Sequence, residues 1–443
     1  MKLKSFAITV LTVCIASAAS TKAASAASLS VVADGLNNPR NFDFAPDGSI
    51  YLTESGSGGD GKDGRCVPSP SAQYIPLCSG ETASLLKINP DGTKETVIPN
   101  LTSLALTPYG EQAAGPADFK FDSQGNAYLL YGYAGNPNTR EDPLKAPLLG
   151  HLYKVDLESN SLTSIADFAE YELQNNPDGS DVISNPYAFT IQNDTAYVVD
   201  GGGNTIYAVA LDGSGIKDVA KFPDQFTSPD QLEFPTLPEG IVDPTGGAPL
   251  PSGFTTASNG LPVSNQSVPT GITVAPDGSL TVSEFTYFPY PEGEARIHKV
   301  NPHDLSIETI ADGFTQLTGV AYDPEGNLYA LQHIDQSEWK AIEQGGNIIG
   351  DVSGSLIKLA PDGTRTTIWN GDGLELASGL AFGPDGNLYA SNNSRLSGSG
   401  QLVKIDLSAS AKKVPEPTTT LALIATAVLS KTALAKRKGK FSH

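Results

Sequence analysis

Asn38-Pro39-Arg40-Asn41-Phe42-Asp43-Phe44-Ala45-Pro46-Asp47-Gly48-Ser49-Ile50-Tyr51-Leu52 and Ser378-Gly379-Leu380-Ala381-Phe382-Gly383-Pro384-Asp385-Gly386-Asn387-Leu388-Tyr389-Ala390 are two copies of one unit. In each, apolar residues alternate along a first strand, a Pro-Asp-Gly turn reverses the chain, and a second strand carries an aromatic residue. Residues 269–282, turning at Asp277-Gly278, and 318–330, turning at Glu325-Gly326, repeat the pattern. Weaker copies occupy residues 117–130, with Gln124-Gly125, and 187–199, where Asn193-Asp194 stands at the turn. Six copies decide the architecture, because a recurring supersecondary unit must stack on its neighbours to bury its faces.

After each hairpin the pattern predicts a third and a fourth strand. The clearest examples are residues 84–97, turning at Pro90-Asp91-Gly92, and 356–368, turning at Pro361-Asp362-Gly363; the equivalents begin near Leu152, Thr205, Ile297 and Leu402. Four strands per repeat with no helix between them predict an all-β, six-bladed β-propeller with four-stranded blades. The sixth repeat lacks a fourth strand after residues 401–407, while residues 29–36 precede the first repeat as a surplus strand. The N-terminal strand is therefore expected to close the last blade, which removes the open edge of the ring.

The turns at 47, 124, 194, 277, 325 and 385 lie further apart than the roughly 40 to 45 residues of a minimal blade. The extra length falls between the second and third strands (55–83, 132–149, 284–295, 332–353) or between blades (98–115, 168–185, 223–266). In an up-and-down blade both classes of connection emerge on one face, so one face is looped and the other bare. Residues 167–175 and 337–344 have helical character there, the second with Ser337 as its expected cap. The Pro-rich stretch 222–269 reads as a lid or a loop.

Both ends read as addresses. Met1-Lys2-Leu3-Lys4 opens a short basic start, residues 6–19 are apolar or small, and Ala24-Ser25-Ala26 offers a cleavage site, so residues 1–27 are expected to be a secretory signal. The propeller is expected over 28–410. In 411–443, Val414-Pro415-Glu416-Pro417 is followed by an apolar run and then by Lys436-Arg437-Lys438. That tail resembles the PEP-CTERM sorting signal, which implies an exosortase-type processing enzyme as partner, transient membrane anchoring by the C-terminal segment, and export to the cell envelope or extracellular matrix. A plain C-terminal membrane anchor is the competing reading.

The charge narrows the partners. The 443 residues carry 28 Lys and Arg against 49 Asp and Glu, a net of −21. Without the three lysines of residues 1–27 and the five bases and one acid of 414–443, the body holds 20 bases and 48 acids, a net of −28. Phosphate backbones require a basic stripe, so nucleic acid is excluded as a partner. Of three cysteines, Cys14 lies in the signal, leaving Cys66 and Cys78 as an even pair in an exported chain; they are expected to form a disulfide.

Few motifs carry chemistry. Gly56-Ser57-Gly58-Gly59-Asp60-Gly61-Lys62 matches a phosphate-loop pattern, but Asp63 follows where Ser or Thr is required and no helix comes after. Asp60 and Asp63 do not complete a calcium loop. Histidines stand at 151, 298, 303, 333 and 443 without metal-ligand spacing. His333, just past the second strand of the fifth repeat, is the single acid/base candidate, and no nucleophile pairs with it.

Residues at the start of the first strand and the end of the second converge on the opening of the looped face. Arg40, Asp118, Asn185, Tyr187, Asn204, Thr270 and Gln332 are the expected binding residues. Glu54, Asp200, Glu284 and Asn392, from four blades, could together hold one Ca²⁺, which takes six to eight oxygens. The competing reading is that these four cap strand ends.

The body is similar to the ScyD/ScyE family of bacterial exported proteins, named for gene clusters that make the pigment scytonemin. The resemblance is carried by Asn38-Pro39-Arg40 with Pro46-Asp47-Gly48, by Gly59-Asp60-Gly61 ahead of Cys66 and Cys78, and by Asn176-Pro177-Asp178-Gly179 with Asn185-Pro186-Tyr187. Asp200-Gly201-Gly202-Gly203-Asn204, Val268-Pro269-Thr270 and Ala360-Pro361-Asp362-Gly363-Thr364-Arg365-Thr366 extend it over 29–407. Asn41 departs from it, since Gly commonly follows Arg at that point. The resemblance implies an NHL-like propeller outside the cytoplasm and no catalytic residue. The expected function is a non-catalytic exported propeller that binds a small molecule, polysaccharide or protein at its looped face, in extracellular matrix or pigment assembly. The alternative is a Ca²⁺-dependent propeller hydrolase or lactonase using His333 and the carboxylates.

Overall fold

In the computed structural model of the chain, residues 27–69, 75–227, 263–343 and 347–408 are described. The expected signal, the sorting tail and most of 222–269 lie outside them. Ser28–Leu407 forms a ring of six antiparallel blades. The innermost strands are Pro39–Phe44, Pro116–Phe121, Pro186–Gln192, Pro269–Val274, Leu317–Tyr322 and Leu380–Phe382. Each packs against the innermost strand of the next blade, the last against the first.

Turn chemistry sets each hairpin. Asp47 Oδ1 accepts from the Ser49 amide at 2.9 Å, and Asp277, Asp362 and Asp385 accept likewise from Ser279, Thr364 and Asn387. The following glycine takes a left-handed conformation in each, as Gly48 does at φ 82°.

Aromatic residues on the second strands fill the space between blades. Tyr51 of the first blade stacks on Phe119 of the second, with ring centroids 5.3 Å apart, and meets Phe121 edge-on. Phe44 and Tyr389 join the first blade to the sixth, and Tyr329 and Phe382 the fifth to the sixth. Each such pair adds about 0.5–1.5 kcal/mol beyond the area it buries.

Nearer the axis, hydroxyls rivet one blade to the next. Thr270 Oγ1 donates to Leu317 O (2.7 Å), Thr318 Oγ1 to Ala377 O (2.9 Å) and Ser378 Oγ to Pro39 O (3.0 Å), the last of these closing the ring. The glycine after each hydroxyl residue permits this approach: a Cβ on Gly319 would sit 2.8 Å from Leu380 Cβ.

The sixth blade is completed by the N-terminal strand. Ser28–Asn37 pairs with Ser397–Asp406, placing Leu29 opposite Ile405 and Val31 opposite Val403. The chain's first and last described strands therefore lie side by side, as the surplus strand predicted.

The first blade is larger than its repeat suggests. Its third and fourth strands, Pro76–Ile88 and Lys94–Leu106, run 13 residues each and continue above the blade. There they take on two short strands, Cys66–Pro68 and Glu111–Ala114. Cys66 and Cys78 are opposite each other in this extension and form a disulfide.

The looped face holds the predicted helix, Phe168–Asn175, whose first turn is capped by Asp167 accepting from the Glu170 amide at 3.0 Å. The other expected helix is only a short turn, Glu338–Lys340, and Ser337 does not cap it. Its hydroxyl donates instead to Tyr290 O at 2.6 Å, because the turn is held by tertiary contacts rather than by its own ladder.

Candidate binding cavity

The loops of one face enclose a cavity of about 640 Å³ at the mouth of the ring. Five sequence-predicted residues line it: Arg40, Asn185, Tyr187, Thr270 and His333. Aromatic and aliphatic surface comes from Phe285, Tyr287, Tyr290 and Val268, and polar groups converge toward its floor.

Asp118, Asn204 and Gln332 do not line the cavity. Asp118 sits deeper, where it accepts from Lys120 Nζ at 2.9 Å and from the Phe189 amide of the third blade at 2.9 Å. Burial pushes its carboxyl up to about 6 against the opposing pull of Lys120. Asn204 Oδ1 accepts from the Val268 amide and its Nδ2 donates to Asp178, while Gln332 Oε1 accepts from the Thr315 amide. Asp118 thus joins the second blade to the third, while Asn204 and Gln332 tie connections to blades.

Nor do Glu54, Asp200, Glu284 and Asn392 share one calcium shell. Each ends the second strand of its own blade and is already satisfied there. Glu54 accepts from the Asn37 amide and Ser84 Oγ; Asp200 from Ser184 Oγ and the amides of Asn185, Gly202 and Gly203. Glu284 accepts from Arg296 Nε and Nη2 at 2.7 and 2.8 Å and from Ser267 Oγ at 2.5 Å. Asn392 Oδ1 accepts from the Glu375 amide. No three acidic, histidine or cysteine side chains come together as a metal cluster among the described residues. Four carboxylates and amides turned toward their own blades do not fit one Ca²⁺, and the strand-capping reading is the one the geometry supports.

His333 lies at the inner end of the cavity, edge-on to Phe285. Its Nδ1 is 2.9 Å from Ala377 O, and because a carbonyl only accepts, Nδ1 carries the proton and Nε2 is left as an acceptor. Burial pulls the imidazole down to about 3, with the Ala377 carbonyl opposing and Arg395 and Arg40 adding to the fall. The ring is neutral at physiological pH.

Two arginines face this floor. Arg395, buried, is clasped by Gln112, whose amide oxygen accepts from both terminal guanidinium nitrogens at 2.9 and 3.1 Å, by Glu111, 3.4 Å away, and by Glu338. Glu111 and Gln112 belong to the extra strand of the first blade, so the extension reaches the axis. Arg40 Nη2 donates to Ala113 O at 2.6 Å, and its positive charge acts on the buried phenol of Tyr187. Unlike Arg395, Arg40 is in no ion pair among the described residues.

Arg395, Gln112, Phe285, Tyr290 and Glu338 were not expected from the sequence. An arginine three residues beyond a strand end, in a chain so poor in bases, was the available signal for Arg395.

No family model and no curated protein matches the chain. Among solved structures it is similar to the soluble aldose sugar dehydrogenase of Escherichia coli, at 12% identity over 86% of this chain and 99% of that one, with a TM-score of 0.46. It is also similar to virginiamycin B lyase from Staphylococcus aureus (12% identity, 86% and 99% covered, TM-score 0.42) and to a luciferin-regenerating enzyme (10% identity, 86% and 95% covered, TM-score 0.43). At these identities the likeness concerns the fold, and one fold hosts many activities.

Proposed function

We propose that this chain is an exported propeller that binds a small organic ligand in the cavity of its looped face without turning it over. The observation that carries the reading is the chemistry of the floor. His333 has its proton committed to a backbone carbonyl and a basicity far below that of an effective general base at neutral pH. Arg395 is held among Gln112, Glu111 and Glu338, and Thr270 is spent on the Leu317 carbonyl. A volume of about 640 Å³ walled by aromatic rings suits a small molecule better than a polysaccharide or a protein surface.

Export is supported by the two ends of the sequence and is compatible with the disulfide, which persists in oxidising compartments. Exosortase-type processing of the tail is part of the same proposal, tested by the intact mass of the protein recovered from the cell envelope. The resemblance to ScyD/ScyE proteins extends the proposal to scytonemin-type pigment assembly, tested by deleting the gene in a pigmented strain and reading pigment absorbance.

The binding reading is tested by thermal melting of the purified protein against a panel of small acids, phenols and sugars, beside a lactone and ester turnover assay with and without Ca²⁺. A raised melting temperature with no turnover is expected. Turnover that His333→Gln abolishes would overturn the non-catalytic reading in favour of a hydrolase.

A further inference from the structure

Resting on the small-molecule reading above, we infer that the cavity takes an aromatic carboxylate, with Arg40 as the group that recognises its charge. The floor carries two guanidiniums of unequal standing. Arg395 is matched to Glu111 and Glu338 and fixed by Gln112. Arg40, across the same cavity, is held by a neutral oxygen, the Ala113 carbonyl, and lies beside the neutral Tyr187 phenol. The Ala113 bond sets the direction of the planar group and leaves most of its five N–H donors for a ligand. A carboxylate matches that fork in geometry and charge, and a charge-assisted pair is the strong form of the bond.

The surroundings set the rest of the ligand. Arg395 with Glu111 and Glu338 sums to −1 and Arg40 brings the floor to zero, so a doubly charged phosphate would leave more uncompensated charge there than a monoanion paired with Arg40. The His333 imidazole is neutral and offers an acceptor rather than a second cation. The wall formed by Phe285, Tyr287 and Tyr290 presents rings to a flat apolar body. The carboxylates among the lining residues that lie at the rim, Asp181 and Asp224, are exposed, so water screens them from a ligand seated on the floor.

The probe is 2-naphthoate, compared with its neutral isostere 2-naphthamide, titrated into the whole mature protein by calorimetry. The naphthoate is expected to bind at least about tenfold more tightly than the amide, the size of one charge-assisted hydrogen-bonded contact. Arg40→Gln is expected to bring the naphthoate and naphthamide affinities to within about twofold of each other, and Arg40→Lys to restore part of the preference. A far-ultraviolet circular dichroism melt of each variant shows that it is folded; should Arg40→Gln fail to fold, the naphthoate-to-naphthamide ratio on the unmutated protein decides alone. Equal affinity for acid and amide, or a preference untouched by Arg40→Gln, overturns the carboxylate assignment while leaving a small-molecule site standing. No binding of either probe, nor of any member of the wider panel, sinks both.

Discussion

Two sets of residues lie one position apart along the chain and do different work. Glu54, Asp200, Glu284 and Gln332 end the second strands of their blades, and Ser55, Gly201, Phe285 and His333 follow directly. The first set is turned away from the cavity and accepts hydrogen bonds from amides, hydroxyls or an arginine of its own blade and the connection before it; the second set lines the cavity. Successive side chains along a strand point to opposite faces, so a shift of one residue changes a structural clasp into a binding surface. Polarity at a strand end is thus a poor guide to function unless its parity is known.

The most severe way to break that contrast is Glu284→Ala. The carboxylate is fully buried and receives two bonds from Arg296, whose guanidinium would be left largely buried without its counter-charge. Stability is expected to fall by about 3–5 kcal/mol in a urea titration, the usual cost of breaking a buried pair from one side. The loss should be the same in Ca²⁺ and in EDTA. A loss confined to the Ca²⁺-loaded protein would mean that Glu284 is a metal ligand after all. Burial pushes the Glu284 carboxyl up, but His298, with Nε2 2.8 Å away, and Arg296 outweigh it and hold the carboxyl below its usual range. Its stabilising contribution is therefore complete above the unfolded carboxyl's pKa and is lost on acidification through the lowered folded value.

The disulfide separates the blade proper from its extension. Cys66→Ser with Cys78→Ser opens a covalent loop of sequence separation 12 and is expected to cost about 3 kcal/mol in the chain-entropy view. Because Leu77 lines the cavity and Glu111 and Gln112 reach Arg395 from the same sheet, ligand affinity should fall along with stability. Full affinity in the reduced protein would show that the extension is not needed to shape the site.

The repeat and its closure were legible because they rest on signals of fixed period: alternation along strands, an Asp-Gly or Glu-Gly turn in the stronger copies, and a surplus strand at one end matching a deficit at the other. Arg40, Asn185, Tyr187, Thr270 and His333 were placed at the cavity from that periodicity alone. Arg395, Gln112 and Tyr290 were missed because they come from irregular connections, whose paths depend on tertiary contacts with no counterpart in the other repeats. The calcium assignment failed for a different reason. All four residues do sit at equivalent strand ends, but equivalence placed them in one clasp per blade rather than in one shared shell.

The subtlest expected effect sets the cavity floor against the helix on the looped face. His333 and Glu172 are both buried ionisable groups, displaced in opposite directions. Burial pushes the Glu172 carboxyl up to about 8, with the neighbouring Asp200 and Asp178 adding to it, and the Tyr207 hydroxyl donates to it at 3.2 Å. The folded protein therefore keeps a proton that the unfolded chain has lost, and stability falls as pH rises from the ordinary glutamate value toward 8. For His333, held down near 3, the unfolded chain binds the extra proton, so stability rises with pH through that window and is complete above the ordinary histidine value. Each slope is at most about 1.4 kcal/mol per pH unit. Between the ordinary glutamate and histidine values the two slopes oppose each other, so urea titrations from pH 3 to 9 should show Glu172→Gln removing the fall toward pH 8 and His333→Gln exposing a fall across the range where the unmutated protein is nearly flat. Variant curves running parallel to that of the unmutated protein would mean that neither group is displaced, and the neutral imidazole on which the binding reading rests would go with them.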